Sequence, residues 1–204
     1  MIEQEFKIQA TKMAPAKLVN ETWLKISEAY CQPSRYYHNL VHLDHLLREL
    51  LDVKAEIKDW PVMIFSIAYH DYVYDVQQQD NEEQSAEIAV ADLAALGVSG
   101  EQVNKCRKQI VATKTHEATG DADTQFLLDA DLWILGAERE TYKRYAEHIR
   151  EEYKLYPAEV YHAGRQKVLE FFLKQQTIYK SVHFREKYES AARENLRWEL
   201  ETRE

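Results

Sequence analysis

The sequence predicts an all-α fold, organised as a single-domain helical bundle over residues 1–204. Apolar side chains recur every three or four residues along most of the chain, which is the spacing that one face of a helix buries. The chain has only five glycines and four prolines, too few for the many turns of an all-β fold. Its 45% hydrophobic and 30% charged composition is typical of a globular domain, and no linker or repeat divides it.

Three helices are predicted before residue 70. Pro15 suits the first helical position, the first helix continues to Tyr30, and Gln32-Pro33-Ser34 ends it. Asn39 is expected to cap the second helix, because its side chain can accept from the exposed N–H groups of a first turn. Pro61 is expected to open the third. The leucines of the second helix share one side: Leu43, Leu46, Leu47, Leu50 and Leu51.

Two short polar patterns predict the starts of the next two helices. Asn81 with Gln84 and Ser99 with Gln102 both have the spacing of a capping box. The helix that begins at Asn81 is expected to end at Gly97, because glycine favours the left-handed conformation that closes many helices.

The second half of the chain is predicted to begin with a loop. Residues 114–123 are polar and are expected to cross the functional site, whereas residues 126–136 are too apolar for a surface helix although they carry two carboxylates. Three more helices are predicted from apolar residues at helical spacing: Tyr142 to Tyr153, Pro157 to Phe172, and Arg185 to Glu201.

Charge and composition exclude several classes of partner. The formal net charge of −9 argues against nucleic acid, since affinity for it rests largely on Lys and Arg at phosphates. No apolar run approaches the roughly 18 residues of a membrane span, and an N-terminus with Glu3 and Glu5 is unlike a signal peptide. Cys31 and Cys106 lack metal-site spacing and are expected to be reduced core thiols, so a cytoplasmic location is predicted.

The chemistry is expected to centre on the dipeptide His70-Asp71, which follows the apolar run 62–68. Burying such a pair is costly unless both groups have partners, and a metal ion can satisfy both. The segment 37–45 adds His38, His42 and His45, which can lie near one side of a helical turn. With a carboxylate from Asp129 or Asp131, such residues form a mixed N/O site that suits Mn, Fe, Co, Ni or Zn better than Ca. Such a site leaves positions open for water and substrate.

Five segments carry a resemblance to a known family: 35–42, 69–75, 80–86, 126–136 and 161–169. In this order they resemble the HD superfamily of metal-dependent phosphohydrolases, and within it a branch of predicted HD phosphohydrolases of about 200 residues. The resemblance implies an HD-type helical bundle that binds a divalent metal ion (Mn, Fe, Co, Ni, Zn or Mg).

The resemblance also selects among the candidate ligands. It implies that the metal is held by His42, His70, Asp71 and Asp131. His42 is preferred to His38 because related His-x-x-x-His pairs place the ligand second, which leaves His38 beside the ligand or at a substrate phosphate. His45 is expected to be structural. The alternative for Asp129 is a helix cap, which an aspartate favours without any metal.

Roles beyond the ligands are predicted more broadly. Glu82 or Asp75 is the expected general base or acid, because an acidic group near the His-Asp pair often serves in this superfamily. One further histidine, His116, could contact phosphate or a second metal, but the two-metal members have two there, so one metal is expected. The remaining phosphate-binding candidates are Lys114, Arg150 and Arg165.

The sequence thus predicts an enzyme that hydrolyses a phosphate ester of a small phosphorylated compound, with a nucleotide as one candidate. The alternative is a metal- or nucleotide-binding regulatory HD domain without turnover. An HD-fold oxygenase with two irons ranks last, because the histidines are too few. Exposed aromatic residues near the C-terminal helix indicate either a homodimer face or a seam within the bundle.

Overall fold

The computed structural model describes residues 1–202 of the chain. These residues form helices and no β-strand, as predicted for an all-α protein. The ten α-helices are α1 (Ile2–Ala10), α2 (Ala16–Tyr30), α3 (Leu40–Asp52), α4 (Trp60–Tyr69), α5 (Asn81–Ala95), α6 (Gly100–Ala112), α7 (Ala122–Asp131), α8 (Arg139–Glu152), α9 (Ala158–Lys174) and α10 (Val182–Glu201). Short 3-10 helices lie at Lys54–Glu56 and Trp133–Gly136.

The chain divides into two compact units, a first unit of residues 1–128 and a second unit that begins at residue 129. The first contains α1 to α6 and most of α7, and the second contains the last three residues of α7 and α8 to α10. A single HD-type domain over the whole chain stays a prediction.

Helix α4 is the central element of the first unit. All eight residues from 62 to 69 are buried, and α1, α3, α5 and α6 pack around this helix. Its start is specified locally, because the Asp59 side chain accepts from the N–H of Val62 and Pro61 lies in the first turn. The apolar run predicted to lead into His70-Asp71 therefore forms the core of this unit.

Helix α1 was not predicted from the sequence. Ile2, Phe6 and Ala10 are spaced by four residues and are buried. The Phe6 ring packs against Phe65 with ring centroids 5.6 Å apart. The Glu5 carboxylate of the same helix accepts a hydrogen bond of 2.7 Å from the Trp60 indole. The spacing of its apolar residues was a readable helical signal.

The predicted helix starts have different outcomes. Asn39 caps α3 by accepting from the N–H of Val41, and Ser99 caps α6 by accepting from the N–H of Gln102, so both predictions are confirmed. The capping box at Asn81 is wrong. Asp80 occupies the cap position without a side-chain cap bond, while the Asn81 amide bonds the backbone of Asp75. The local turn therefore competes for that amide.

Two smaller expectations are also corrected. Pro15 is the cap residue of α2, one position before the first helical residue. Cys31 is exposed at the end of α2 and is not a core thiol. Cys106 is buried as expected, and burial raises the pKa of its thiol to about 12.

In the second unit, α10 packs against the 3-10 helix Trp133–Gly136 and against α9. Gly136 lies so close to α10 that a Cβ built on it would stand 2.6 Å from the Cβ of Tyr188. Asn195 is buried and donates to the carbonyls of Leu135 and Ala137 at 2.8 Å each. These contacts hold the apolar segment 133–137 on α10.

None of the helices within residues 1–202 combines the length and the apolar character that crossing a membrane requires.

Candidate metal centre

The two predicted histidine ligands of the first unit lie on different elements and face each other. His42 is in the first turn of α3, which Asn39 caps, and His70 is the residue that directly follows α4. The two residues are 3% and 1% exposed, so water does not solvate either imidazole freely. Their Nε2 atoms lie 3.2 Å apart.

The backbone sets the protonation pattern of His70. Its Nδ1 lies 3.0 Å from the carbonyl oxygen of Ile67. A carbonyl can only accept, so Nδ1 carries a proton and, in the neutral ring, Nε2 presents a lone pair. Histidine ligands of metals are commonly held in this way, with one ring nitrogen donating to the protein and the other turned to the ion.

The Asp71 carboxylate completes a group of three donors. Its Oδ2 lies 3.0 Å from Nε2 of His70 and 3.7 Å from Nε2 of His42. A lone pair of His70 thus faces a carboxylate oxygen at contact distance, which is favourable only with a positive charge between them, either a proton or a metal ion. The side chains of His42, His70 and Asp71 therefore meet in the first unit, and all three are of the types that bind transition metals.

The backbone of Asp71 is held by two residues for which the sequence predicted no role in the site. Its N–H donates to the Tyr30 hydroxyl at 3.1 Å, and its carbonyl accepts from Nη1 of Arg35 at 2.6 Å. Nη2 of Arg35 donates to the carbonyl of Tyr72 at 2.8 Å. There was little sign of these contacts in the sequence, because Arg35 and Tyr30 lie 36 and 41 positions before Asp71 and no local spacing links them to it.

Aromatic rings surround the outer side of His42. The His38 ring lies 5.6 Å from His42 and 4.3 Å from the Tyr74 ring, centroid to centroid. Tyr37 lies 5.0 Å from the His42 ring. His38 is half-buried in this group, so the structure brings it together with His42. One turn further along α3, burial lowers the pKa of His45 and the nearby Arg48 lowers it further.

The two predicted acid or base candidates have different surroundings. Glu82 is half-buried in the first turn of α5. Burial raises the pKa of its carboxyl and the negative Asp71 raises it further, while its own backbone N–H and Lys114 act in the opposite direction. The Asp75 carboxylate instead accepts from the N–H of Gln77 and the amide of Gln78, which closes a local turn.

Lys114 and His116 lie where α6 ends and the loop begins. The Lys114 ammonium donates to the Glu83 carboxylate and to the carbonyl of Gln79, each at 2.6 Å. His116 has a φ of 50°, a left-handed conformation that is uncommon for a residue with a side chain. Lys114 therefore ties the loop to the start of α5, beside Glu82.

In the second unit, the two aspartates of α7 differ. Asp131 is half-buried at the last position of the helix. Asp129 is 1% exposed, and its carboxylate accepts from the N–H of Ser181 at 2.7 Å and from the N–H of Lys180 at 3.0 Å. Asp129 thus binds the backbone just before α10, whose cap residue is Ser181, so it does not cap a helix, and Asp131 stays the candidate ligand.

The two predicted phosphate-binding arginines of the second unit already bind protein groups. Arg165 is buried and makes a two-pronged ion pair with Glu199, at 2.9 and 3.0 Å. Arg150 donates to the carbonyls of Tyr153 and Tyr156 at the end of α8. A phosphate role for either residue stays a prediction.

Comparison of the chain with models of known protein families, with curated proteins and with solved structures gave no match.

Proposed function

We propose that the protein is a metal-dependent phosphohydrolase of the HD type, acting on a phosphate ester of a small phosphorylated compound. One observation carries the metal part of this proposal: the lone pair on Nε2 of His70 faces Oδ2 of Asp71 at 3.0 Å, beside Nε2 of His42. The reaction type rests on the resemblance of the ordered segments to HD phosphohydrolases. We also propose a cytoplasmic location, which the two free thiols support.

The donor set fits a divalent transition metal. Two imidazoles and a carboxylate suit Mn, Fe, Co, Ni or Zn, and fewer than six protein ligands leave room for substrate. We propose His42, His70 and Asp71 as ligands, with Asp131 as the fourth on the strength of the sequence. When bound, such an ion supplies Lewis acidity at a phosphoryl oxygen.

The residues around the group would handle protons and phosphate. Glu82 is the stronger candidate for the general acid or base, because burial and Asp71 raise the pKa of its carboxyl toward the working range of such a group. Asp75 is weaker, since its carboxylate closes a turn. Lys114, next to Glu82, and His38, next to His42, are the first candidates to bind the phosphate.

Turnover of a phosphomonoester panel with added Mn²⁺ or Co²⁺ tests the proposal. We expect phosphate release by the wild type and by the matched control Asp92→Asn. In the wild type, the Asp92 carboxylate also lies in the first unit, where it accepts a hydrogen bond from the Tyr69 hydroxyl. Asp71→Ala should release none. Metal binding without turnover on any ester would favour a regulatory domain, and equal turnover by Asp71→Ala would disprove the site.

A further inference from the structure

The turn that carries His70 and Asp71 is tied to the rest of the first unit through the backbone of Asp71. The Asp71 N–H donates to the Tyr30 hydroxyl at 3.1 Å, and the Asp71 carbonyl accepts from the Arg35 guanidinium at 2.6 Å. Both sides of one residue are thus anchored by side chains from outside the turn. The position of the Asp71 backbone determines where its carboxylate can reach.

Arg35 also connects this turn to the segment that leads to His42. Nη1 donates to the carbonyl of His38 at 3.3 Å, a weaker contact, while Nη2 donates to the carbonyl of Tyr72 at 2.8 Å. The guanidinium is planar and its donors have a fixed arrangement. One rigid group therefore sets the spacing between the segment before α3 and the turn after α4. The first segment leads into His42, and the turn contains His70.

Arg35 is buried although its charge makes burial costly in free energy. Arg35 is 6% exposed, and its guanidinium lies over the Tyr30 ring at 4.8 Å and near the Tyr74 ring at 5.4 Å. Burying a charge costs free energy, and an apolar side chain of similar size often fills such a place with equal or greater stability. The hydrogen bonds to three backbone carbonyls are what such an apolar side chain would not supply.

On the basis of the proposed function, we infer that Arg35 and Tyr30 are positioning residues for the metal ligands. They hold the Asp71 carboxylate against Nε2 of His70 and His42, and so set the affinity of the group for a divalent cation. Neither residue touches the ion. Their loss should weaken metal binding more than it weakens the metal-free fold.

Mn²⁺ titration calorimetry together with urea unfolding of the metal-free protein tests this inference. Arg35→Lys keeps the charge and loses the fork, and Tyr30→Phe removes only the hydroxyl. Arg193→Lys is a matched control, because Arg193 also donates to three backbone carbonyls, in the second unit. Tyr69→Phe is the second control, because that hydroxyl donates to the Asp92 carboxylate.

We expect Mn²⁺ affinity to fall about 10- to 100-fold in Arg35→Lys and Tyr30→Phe, as for other residues that orient metal ligands. Both controls should keep the wild-type affinity even where they lose stability. Wild-type affinity in the two test variants, or an equal loss in the controls, would overturn the inference alone. A wild type that binds no Mn²⁺ would overturn the proposed function, and the inference with it.

Discussion

The buried ion pair of the second unit allows a quantitative prediction that also bears on a candidate phosphate site. The side chains of Arg165 and Glu199 are 7% and 2% exposed, and two parallel hydrogen bonds join them. The Tyr142 hydroxyl donates a short hydrogen bond to the same carboxylate. Burial raises the pKa of Tyr142 far above its usual value, so this hydroxyl remains a donor.

Arg165→Met should lower the free energy of unfolding by about 3–5 kcal/mol, because it leaves the Glu199 charge buried and uncompensated. Tyr142→Phe should cost about 1–3 kcal/mol, since it removes one of the donors to that carboxylate. Arg197→Met is the control, because Arg197 is exposed on α10, the helix that also carries Glu199. The free energy of unfolding of this variant should stay within about 0.5 kcal/mol of the wild type.

Urea denaturation followed by circular dichroism measures these differences. An Arg165→Met variant that unfolds with the same midpoint as the Arg197→Met control would refute the interpretation of Arg165 as a structural ion-pair partner. In that case the guanidinium would be available to bind phosphate, as the sequence predicted for Arg165.

The remaining predictions concern stability. Asp123→Asn should cost roughly 2–4 kcal/mol in urea denaturation, because this buried carboxylate accepts from two backbone N–H groups and a lysine, and hydrogen bonds to charged groups contribute about 1.5–3 kcal/mol; an unchanged midpoint would contradict this. Glu82→Gln should stabilise the metal-free protein at neutral pH. The raised pKa means that folding favours the protonated form, so that stability is present below the unfolded pKa and is lost as pH rises through the folded pKa. The variant and wild type should therefore converge at acid pH, and a gain that persists there would refute the cause given. Gly136→Ala should cost about 1–3 kcal/mol from overpacking. Gly164→Ala, with nothing within 4 Å of the new Cβ, should instead gain about 0.5–1 kcal/mol. Thermal melting distinguishes the two signs.

Local sequence patterns predicted most of the helices because each depends on neighbouring residues. Asn39 and Ser99 cap the helices that follow them, and the apolar spacing within α2 to α6 is readable over a few turns. Asn81 shows the limit of this approach. Its capping pattern was present, but the backbone of Asp75 lies close enough to bind the same amide.

The candidate site was predicted in its residue types and only partly in its contacts. His42, His70 and Asp71 come together in the first unit as their chemistry suggested. Arg35 and Tyr30 could not be identified in this way, because their bonds to Asp71 join residues more than 35 positions apart. For the same reason, the sequence did not show that the Asp129 carboxylate binds the backbone N–H groups of Lys180 and Ser181, about 50 residues later.

Metal content tests the central claim most directly. Protein purified without chelator should carry about one transition-metal ion per chain by mass spectrometry, because deprotonated His and Asp donors couple metal binding to the folded state. Asp71→Ala should carry none while its circular dichroism spectrum stays helical, and Asp92→Asn should match the wild type. A wild type without metal after addition of Mn²⁺ and Fe²⁺, or an Asp71→Ala variant with full metal content, would contradict the assignment of this site.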